Sequence, residues 1–98
     1  MILVLGRPGS GKTKKMLELS AINNIPLLCE SEARKMRLLI KAEGYNLNIP
    51  TPIVLGEEVA SNQKVYIDDI KRVLEVALNI QVEAISVNEL DSDEVIKL

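Results

Sequence analysis

Short apolar stretches alternate with amphipathic stretches along this chain, and the alternation predicts strands and helices in turn. Strands are predicted over residues 1–5, 27–29, 64–69 and 82–87. Helices are predicted over residues 13–23, over residues 32–43 and from residue 70 onward. Such an order is typical of an α/β sandwich, so we expect a three-layer α/β fold around a small, mostly parallel sheet.

Local signals set several of these boundaries. Ser31 is placed to cap the second helix, Gly44 to end it, and Asp69 to cap the third. The intervening segments give weaker patterns. We expect a loop over 45–52, an edge strand or anchored loop over 53–55, one helical turn over 57–62, and a docked segment or tail over 89–98.

The first predicted strand runs directly into a stretch that satisfies the pattern G-x-x-x-x-G-K-[ST]. The stretch is Gly6, Arg7, Pro8, Gly9, Ser10, Gly11, Lys12 and Thr13. A strand before such a loop and a helix after it form the context in which its backbone N–H groups surround phosphate, aided by the helix dipole. We therefore expect these eight residues to bind a nucleoside triphosphate, with Lys12 at the β- and γ-phosphates and the Thr13 hydroxyl on Mg²⁺. The alternative is a glycine-rich turn with a solvated lysine.

Two carboxylates follow the apolar strand predicted over 64–69. A charge at the edge of a core requires compensation, and Mg²⁺ provides it if Asp68 holds the metal through a water while Thr13 binds it directly. The alternative is that Asp68 and Asp69 only cap the helix that begins at Ile70, for which one carboxylate is enough.

With a further strand that ends in polar residues, these motifs resemble the P-loop NTPases of the additional-strand, catalytic-glutamate (ASCE) division. The resemblance extends from residue 1 to about residue 89. It implies that ATP and Mg²⁺ are the ligands and that Lys12 and Asp69 act in catalysis, Asp69 in place of the glutamate that activates the attacking water. It also implies that Asn88, with Ser86 second, is the sensor at the end of a strand inserted between the first strand and the Asp68 strand.

The resemblance is to a minimal member of the division. Because aspartate is one methylene shorter than glutamate, Asp69 implies slow hydrolysis. No lid domain and no fifth strand are expected after Asn88, and no aromatic residue is obviously placed to stack on a base. Brevity of this kind is similar to that of small ATPases carried by bacteriophages.

Composition excludes several kinds of chemistry. The chain has no histidine, so catalysis and metal binding by imidazole are excluded. Cys29 is the only cysteine and cannot form an intrachain disulfide, which fits a reducing compartment. No apolar run is long enough to span a membrane. We expect one cytoplasmic domain over residues 1–98.

Charge is distributed unevenly. Residues 1–41 carry eight lysines and arginines against three glutamates, whereas residues 42–98 carry four against eleven acidic residues. Part of the basic excess is predicted to form a stripe on the second helix: Arg34, Arg37 and Lys41. The opposite face of that helix is apolar and is expected to face the core: Ala33, Met36 and Ile40. The basic stripe is either a solvated face or a contact for nucleic acid or for a neighbouring subunit's nucleotide.

Taken together, these features favour an Mg²⁺-dependent ATPase that acts on single-stranded DNA or on a replication or recombination protein. It is expected to be a homo-oligomer in which a neighbour's arginine completes each site. Four arginines are candidates: Arg7, Arg34, Arg37 and Arg72. A nucleoside or small-molecule kinase is one alternative. A nucleotide-binding interaction module without efficient turnover is the other.

Overall fold

Five strands and three helices follow one another in the computed structural model, which describes all residues, 1–98. In chain order the elements are β1 (Ile2–Leu5), α1 (Lys12–Asn23), β2 (Leu27–Cys29), α2 (Glu32–Gly44), β3 (Ile53–Val54), β4 (Tyr66–Ile67), α3 (Ile70–Leu78) and β5 (Glu94–Lys97). The predicted first and second strands and all three predicted helices are confirmed to within two residues at their starts.

Every strand pairing is parallel, and the strands form two ladders. β2 lies between β3 and β4, so residues 53–55 do contribute an edge strand. β1 pairs with β5, with Ile2 opposite Glu94 and Leu5 opposite Lys97. The α/β class with parallel strands is therefore confirmed, in the form of a two-stranded and a three-stranded sheet.

The core lies where α1 and α2 pack against β2. It consists of six buried residues: Met16, Leu17, Leu27, Cys29, Leu38 and Ala42. Cys29 packs as a small buried hydrophobe, and burial raises the pKa of its thiol, which disfavours the reactive thiolate. The helix ends are fixed locally as well. Ser31 accepts a hydrogen bond from the backbone N–H of Arg34, and Asn24 ends α1 in the left-handed conformation.

The face that α2 turns toward the core differs from the predicted one. Met36 and Ile40 were expected inside, but their side chains are 54% and 64% exposed. The buried residues of α2 are Arg34, Leu38 and Ala42, which are spaced four residues apart and share one face. The prediction was wrong because the buried stripe begins with a charged residue, which pattern analysis assigns to solvent.

The C-terminal third also differs from the prediction. The strand predicted over 82–87 is not formed, and most of residues 80–90 are exposed. β5 forms instead in the segment expected to be a docked segment or tail. Two backbone bonds flank it: Glu94 N–H to Met1 carbonyl and Leu98 N–H to Leu5 carbonyl. The partner of β1 is therefore Glu94–Lys97 and not the segment 82–87.

Two smaller predictions in the middle of the chain also fail. Residues 57–62 form a bend, irregular chain and a turn rather than a helical turn. The strand predicted over 64–69 shortens to β4, two residues long, because β2, its only neighbour, is itself a three-residue strand.

The surface of the chain is large for its mass. Its accessible area is 6982 Å², against about 5,500 Å² for a folded monomer of this size. Many exposed apolar side chains lie in the last quarter of the chain: Val76, Leu78, Ile80, Ile85, Val87, Leu90, Val95 and Leu98. No helix has the length and apolar character needed to cross a bilayer.

The corrected orientation of α2 can be tested with two substitutions on the same helix. We expect Leu38→Ala to lower the free energy of unfolding by about 2–5 kcal/mol, because it leaves a cavity in the core. Ile40→Ala should change it by less than about 0.5 kcal/mol, because Ile40 faces solvent. Urea unfolding of both variants measures the difference. A larger loss for Ile40→Ala would support the orientation predicted from the sequence.

Candidate functional site

The glycine-rich loop between β1 and α1 is held open by its backbone conformation. Gly9 and Gly11 have φ angles of 79° and 94°, in the left-handed region that favours glycine. A Cβ on Gly6 would collide with the side chain of Ser10. Gly11 precedes α1 and no side chain caps the helix. The first N–H groups of α1 therefore remain available to an anion.

Lys12 folds back over the loop that precedes it. Its Nζ donates hydrogen bonds to the carbonyl oxygens of Gly6 and Arg7, at 2.8 and 2.7 Å. These bonds hold a positive charge against the loop, next to the open N–H groups of α1. Lys12 also lines the cleft that the loop borders, and its contact with phosphate stays a prediction.

Asp68 joins the loop to the end of β4. Its Oδ2 accepts a hydrogen bond from Thr13 Oγ1 at 2.8 Å and a second, charged one from Arg34 Nη2, also at 2.8 Å. The Arg34 and Asp68 side chains are only 10% and 8% exposed. Since a buried charge requires a partner, Arg34 supplies the compensation that lets a carboxylate end this short strand.

Sequence reasoning missed this role of Arg34 and the presence of a second ion pair, in which only the carboxylate is buried. Arg34 was expected on a solvated stripe or in a neighbour's site, but it contacts its own chain. The second pair joins Arg72 Nε to Glu30 Oε1 at 3.2 Å, and the Glu30 side chain is 3% exposed. Glu30 follows β2 directly, as Asp68 follows β4. A carboxylate directly after a buried strand indicates a buried charge that needs a partner. This signal is present at Glu30 as well as at Asp68 and could have predicted both ion pairs.

Asp69 begins α3 with a left-handed backbone, φ 57° and ψ 72°. Its Oδ1 accepts a hydrogen bond from the backbone N–H of Arg72 at 3.3 Å, so the predicted cap is confirmed. The side chain is exposed and borders the same cleft as Thr13 and Asp68. One of its two oxygens is engaged in capping, while its role as a base stays a prediction.

Asn88 does not take part in this arrangement. The strand that was expected to carry it and Ser86 to the site is not formed, and both residues lie on exposed chain between α3 and β5. Neither borders the cleft. β5 pairs with β1 and forms no ladder with β4, so no strand carries a sensor between them. The structure thus leaves Asn88 and Ser86 apart from the cleft residues, and the sensor role stays a prediction.

The loop and the two carboxylates border one cleft of about 520 Å³, a size typical of sites for small ligands. Twelve residues line it: Pro8, Gly9, Gly11, Lys12, Thr13, Lys14, Arg34, Lys41, Tyr45, Asp68, Asp69 and Arg72. Five of the twelve are lysine or arginine and two are aspartate, so the lining has an excess of positive charge. Such a lining favours a polyanionic ligand.

The residues at the cleft fit Mg²⁺ held together with a phosphate ligand. The structure contains no group of three or more carboxylate, cysteine or histidine side chains that would hold a metal on its own. Mg²⁺ needs no such group, because it commonly takes one or two protein oxygens and completes its shell with phosphate oxygens and water. The Thr13 hydroxyl and the Asp68 carboxylate, 2.8 Å apart, provide those oxygens.

The Arg34–Asp68 ion pair at the cleft can be tested by its contribution to stability. We expect Arg34→Met to lower the free energy of unfolding by about 3–5 kcal/mol, because it leaves the Asp68 carboxylate buried without its charged partner. Arg37→Met, one turn further along the same helix and exposed, is the matched control and should be nearly neutral. Adding Asp68→Asn to Arg34→Met should recover part of the loss in urea unfolding. Equal, small losses for Arg34→Met and Arg37→Met would contradict the buried pair.

The geometry therefore brings the glycine-rich loop, Thr13, Asp68 and Asp69 to one positively charged cleft. No protein-family model matches the chain, and comparisons with curated proteins and with solved structures find no match either. Its function is accordingly argued from the geometry of the cleft.

Proposed function

We propose that this chain is a minimal P-loop nucleoside triphosphatase that binds ATP with Mg²⁺. The observation that carries the proposal is the contact between Thr13 and Asp68, 55 positions apart in the chain, at the mouth of a loop whose glycines hold left-handed conformations. On this proposal the two parallel ladders belong to one three-layer sandwich of the P-loop type, with the ligand at the carboxyl ends of the strands.

Each side chain at the cleft then has a defined task. The N–H groups of the loop and of the first turn of α1 hold the phosphates, and Lys12 exchanges its bonds to the loop carbonyls for bonds to phosphate oxygens. Thr13 and Asp68 hold Mg²⁺, which neutralises charge on the phosphates when bound. Asp69 orients a water for attack and accepts its proton.

The geometry of Asp69 favours the nucleotide-binding interaction module over the kinase as the second candidate function. Its carboxylate already caps α3 through Arg72, so only part of it is available to a water. That observation supports a nucleotide-binding interaction module with slow or no turnover as the second candidate. Nothing in the cleft singles out a substrate hydroxyl, which leaves the nucleoside or small-molecule kinase without a supporting observation.

We also propose that the protein is cytoplasmic and that its active form is the homo-oligomer expected from the sequence. The accessible surface of the monomer supports this proposal, because it is about 1,400 Å² larger than that of a typical folded monomer of this mass. A standard interface covers about 800 Å² on each partner, so the excess is large enough to hold one. Arg34 and Arg72 are engaged within their own chain. Arg7 and Arg37 are exposed, so they remain the candidates for completing a neighbour's site or for contacting single-stranded DNA.

Removing the loop lysine tests the binding function. We expect Lys12→Ala to weaken binding of MgATP by about 10- to 100-fold, because an ammonium-to-phosphate bond is lost. Lys64→Ala removes the same charge from an exposed position outside the cleft and should leave affinity unchanged. Calorimetric titration gives both affinities, with thermal unfolding as the check that each variant is folded. Unchanged affinity in folded Lys12→Ala would overturn the phosphate-loop assignment.

Substitution of Asp69 separates turnover from binding. Asparagine caps helices as well as aspartate does and tolerates the left-handed conformation, so Asp69→Asn should keep the fold and the affinity for MgATP. If Asp69 accepts the proton of the attacking water, hydrolysis should fall by about 100-fold or more. Phosphate release is measured with and without single-stranded DNA. An Asp69→Asn protein that hydrolyses ATP at the parental rate would exclude Asp69 as the base.

A further inference from the structure

Tyr45 is the only aromatic residue among those that line the cleft. It follows the last residue of α2, and its backbone N–H bonds to the carbonyls of Lys41 and Ala42 fix its position. Its side chain is 45% exposed. The other tyrosine, Tyr66, packs against the core and accepts a hydrogen bond from Asn23, so it serves the fold. Tyr45 makes neither kind of contact, and its ring borders a cleft whose other lining residues are mostly charged.

The position of Tyr45 along α2 places it far from the metal end of the cleft. Arg34, near the start of the helix, contacts Asp68. Tyr45 is eleven residues further on, which corresponds to three helical turns and about 16 Å along the axis. Lys41 lies between them on the same face and also lines the cleft. α2 therefore contributes Arg34, Lys41 and Tyr45 to one side of the cleft, with Asp68 near the start of the helix and Tyr45 at its aromatic end.

Lys14 connects the phosphate-binding loop to this aromatic end. It follows Thr13 directly on the first turn of α1, and its Nζ lies 5.2 Å from the centroid of the Tyr45 ring. That distance is within the range of a cation–π contact. Lys12 and Lys14 thus place positive charge between the loop and the ring. A ligand with a chain of phosphates and a flat, neutral ring system matches this arrangement.

From this geometry we infer that Tyr45 is the platform on which the base of the bound nucleotide stacks. The inference rests on the proposed function and extends it from the phosphates to the base. Because every base has a π-face, stacking on a single ring predicts weak discrimination among bases, with the larger purines favoured by their larger contact. Lys14, next to Thr13 in the chain and 5.2 Å from the ring centroid, links the Tyr45 ring to the phosphate-binding loop.

The test compares two ligands that share a phosphate tail but differ in having a base. MgATP and magnesium tripolyphosphate are titrated into the parent protein, Tyr45→Ala and Tyr45→Phe. Met36→Ala, also exposed on α2 but outside the cleft, is the control. We expect Tyr45→Ala to bind MgATP about 5- to 100-fold more weakly and tripolyphosphate as the parent does. Tyr45→Phe keeps the ring and should stay within about threefold of the parent for both ligands.

Each outcome distinguishes this inference from the proposed function. If Tyr45→Ala binds MgATP as the parent does, or loses affinity for both ligands equally, the stacking role is overturned while the phosphate site stands. If the parent binds neither ligand, the nucleotide assignment and the stacking role fail together. Loss of MgATP affinity in Tyr45→Phe equal to that in Tyr45→Ala would show that the hydroxyl, and not the ring face, contacts the ligand.

Discussion

One carboxylate oxygen, Asp68 Oδ2, joins the elements that border the candidate cleft. It accepts hydrogen bonds from Thr13 at the start of α1 and from Arg34 at the start of α2. Three elements that are distant in the chain therefore meet at a single charged atom with little access to water. Because a buried carboxylate without a cation is costly, the orientation of α2 follows from this contact. The same contact holds the Thr13 hydroxyl and the Asp68 carboxylate next to each other, as a shared Mg²⁺ requires.

Local sequence signals predicted the parts of the fold that are determined locally. The loop, α1, β2 and the caps at Ser31 and Asp69 each depend on a few adjacent residues, and the structure confirms them. Glycine conformation and capping geometry need no knowledge of the rest of the chain, which is why these predictions succeed. The cleft residues that follow a strand directly could be predicted in the same way. They are the residues of the glycine-rich loop after β1, and Asp68 and Asp69 after β4.

Features that depend on distant partners were predicted poorly. The buried face of α2 was assigned to the wrong side because Arg34 belongs to the core only when Asp68 is opposite it. Residues 82–87 have strand-like composition, but β1 pairs with Glu94–Lys97 instead. The position of Tyr45 at the cleft could not be predicted from the sequence, because it depends on how α1 and α2 pack. In each case a long-range contact decided the outcome, and no local pattern carries that information.

Thr13 and Asp68 are proposed to share Mg²⁺ with a nucleotide bound on the loop. Calorimetric titration of ATP, with and without Mg²⁺, into the parent protein and into Asp68→Asn tests this sharing, after both proteins are shown to be folded. We expect Mg²⁺ to tighten ATP binding to the parent and this advantage to disappear in Asp68→Asn, whereas affinity without Mg²⁺ should change little. An equal loss of affinity with and without Mg²⁺, or no ATP binding by the parent, would contradict it.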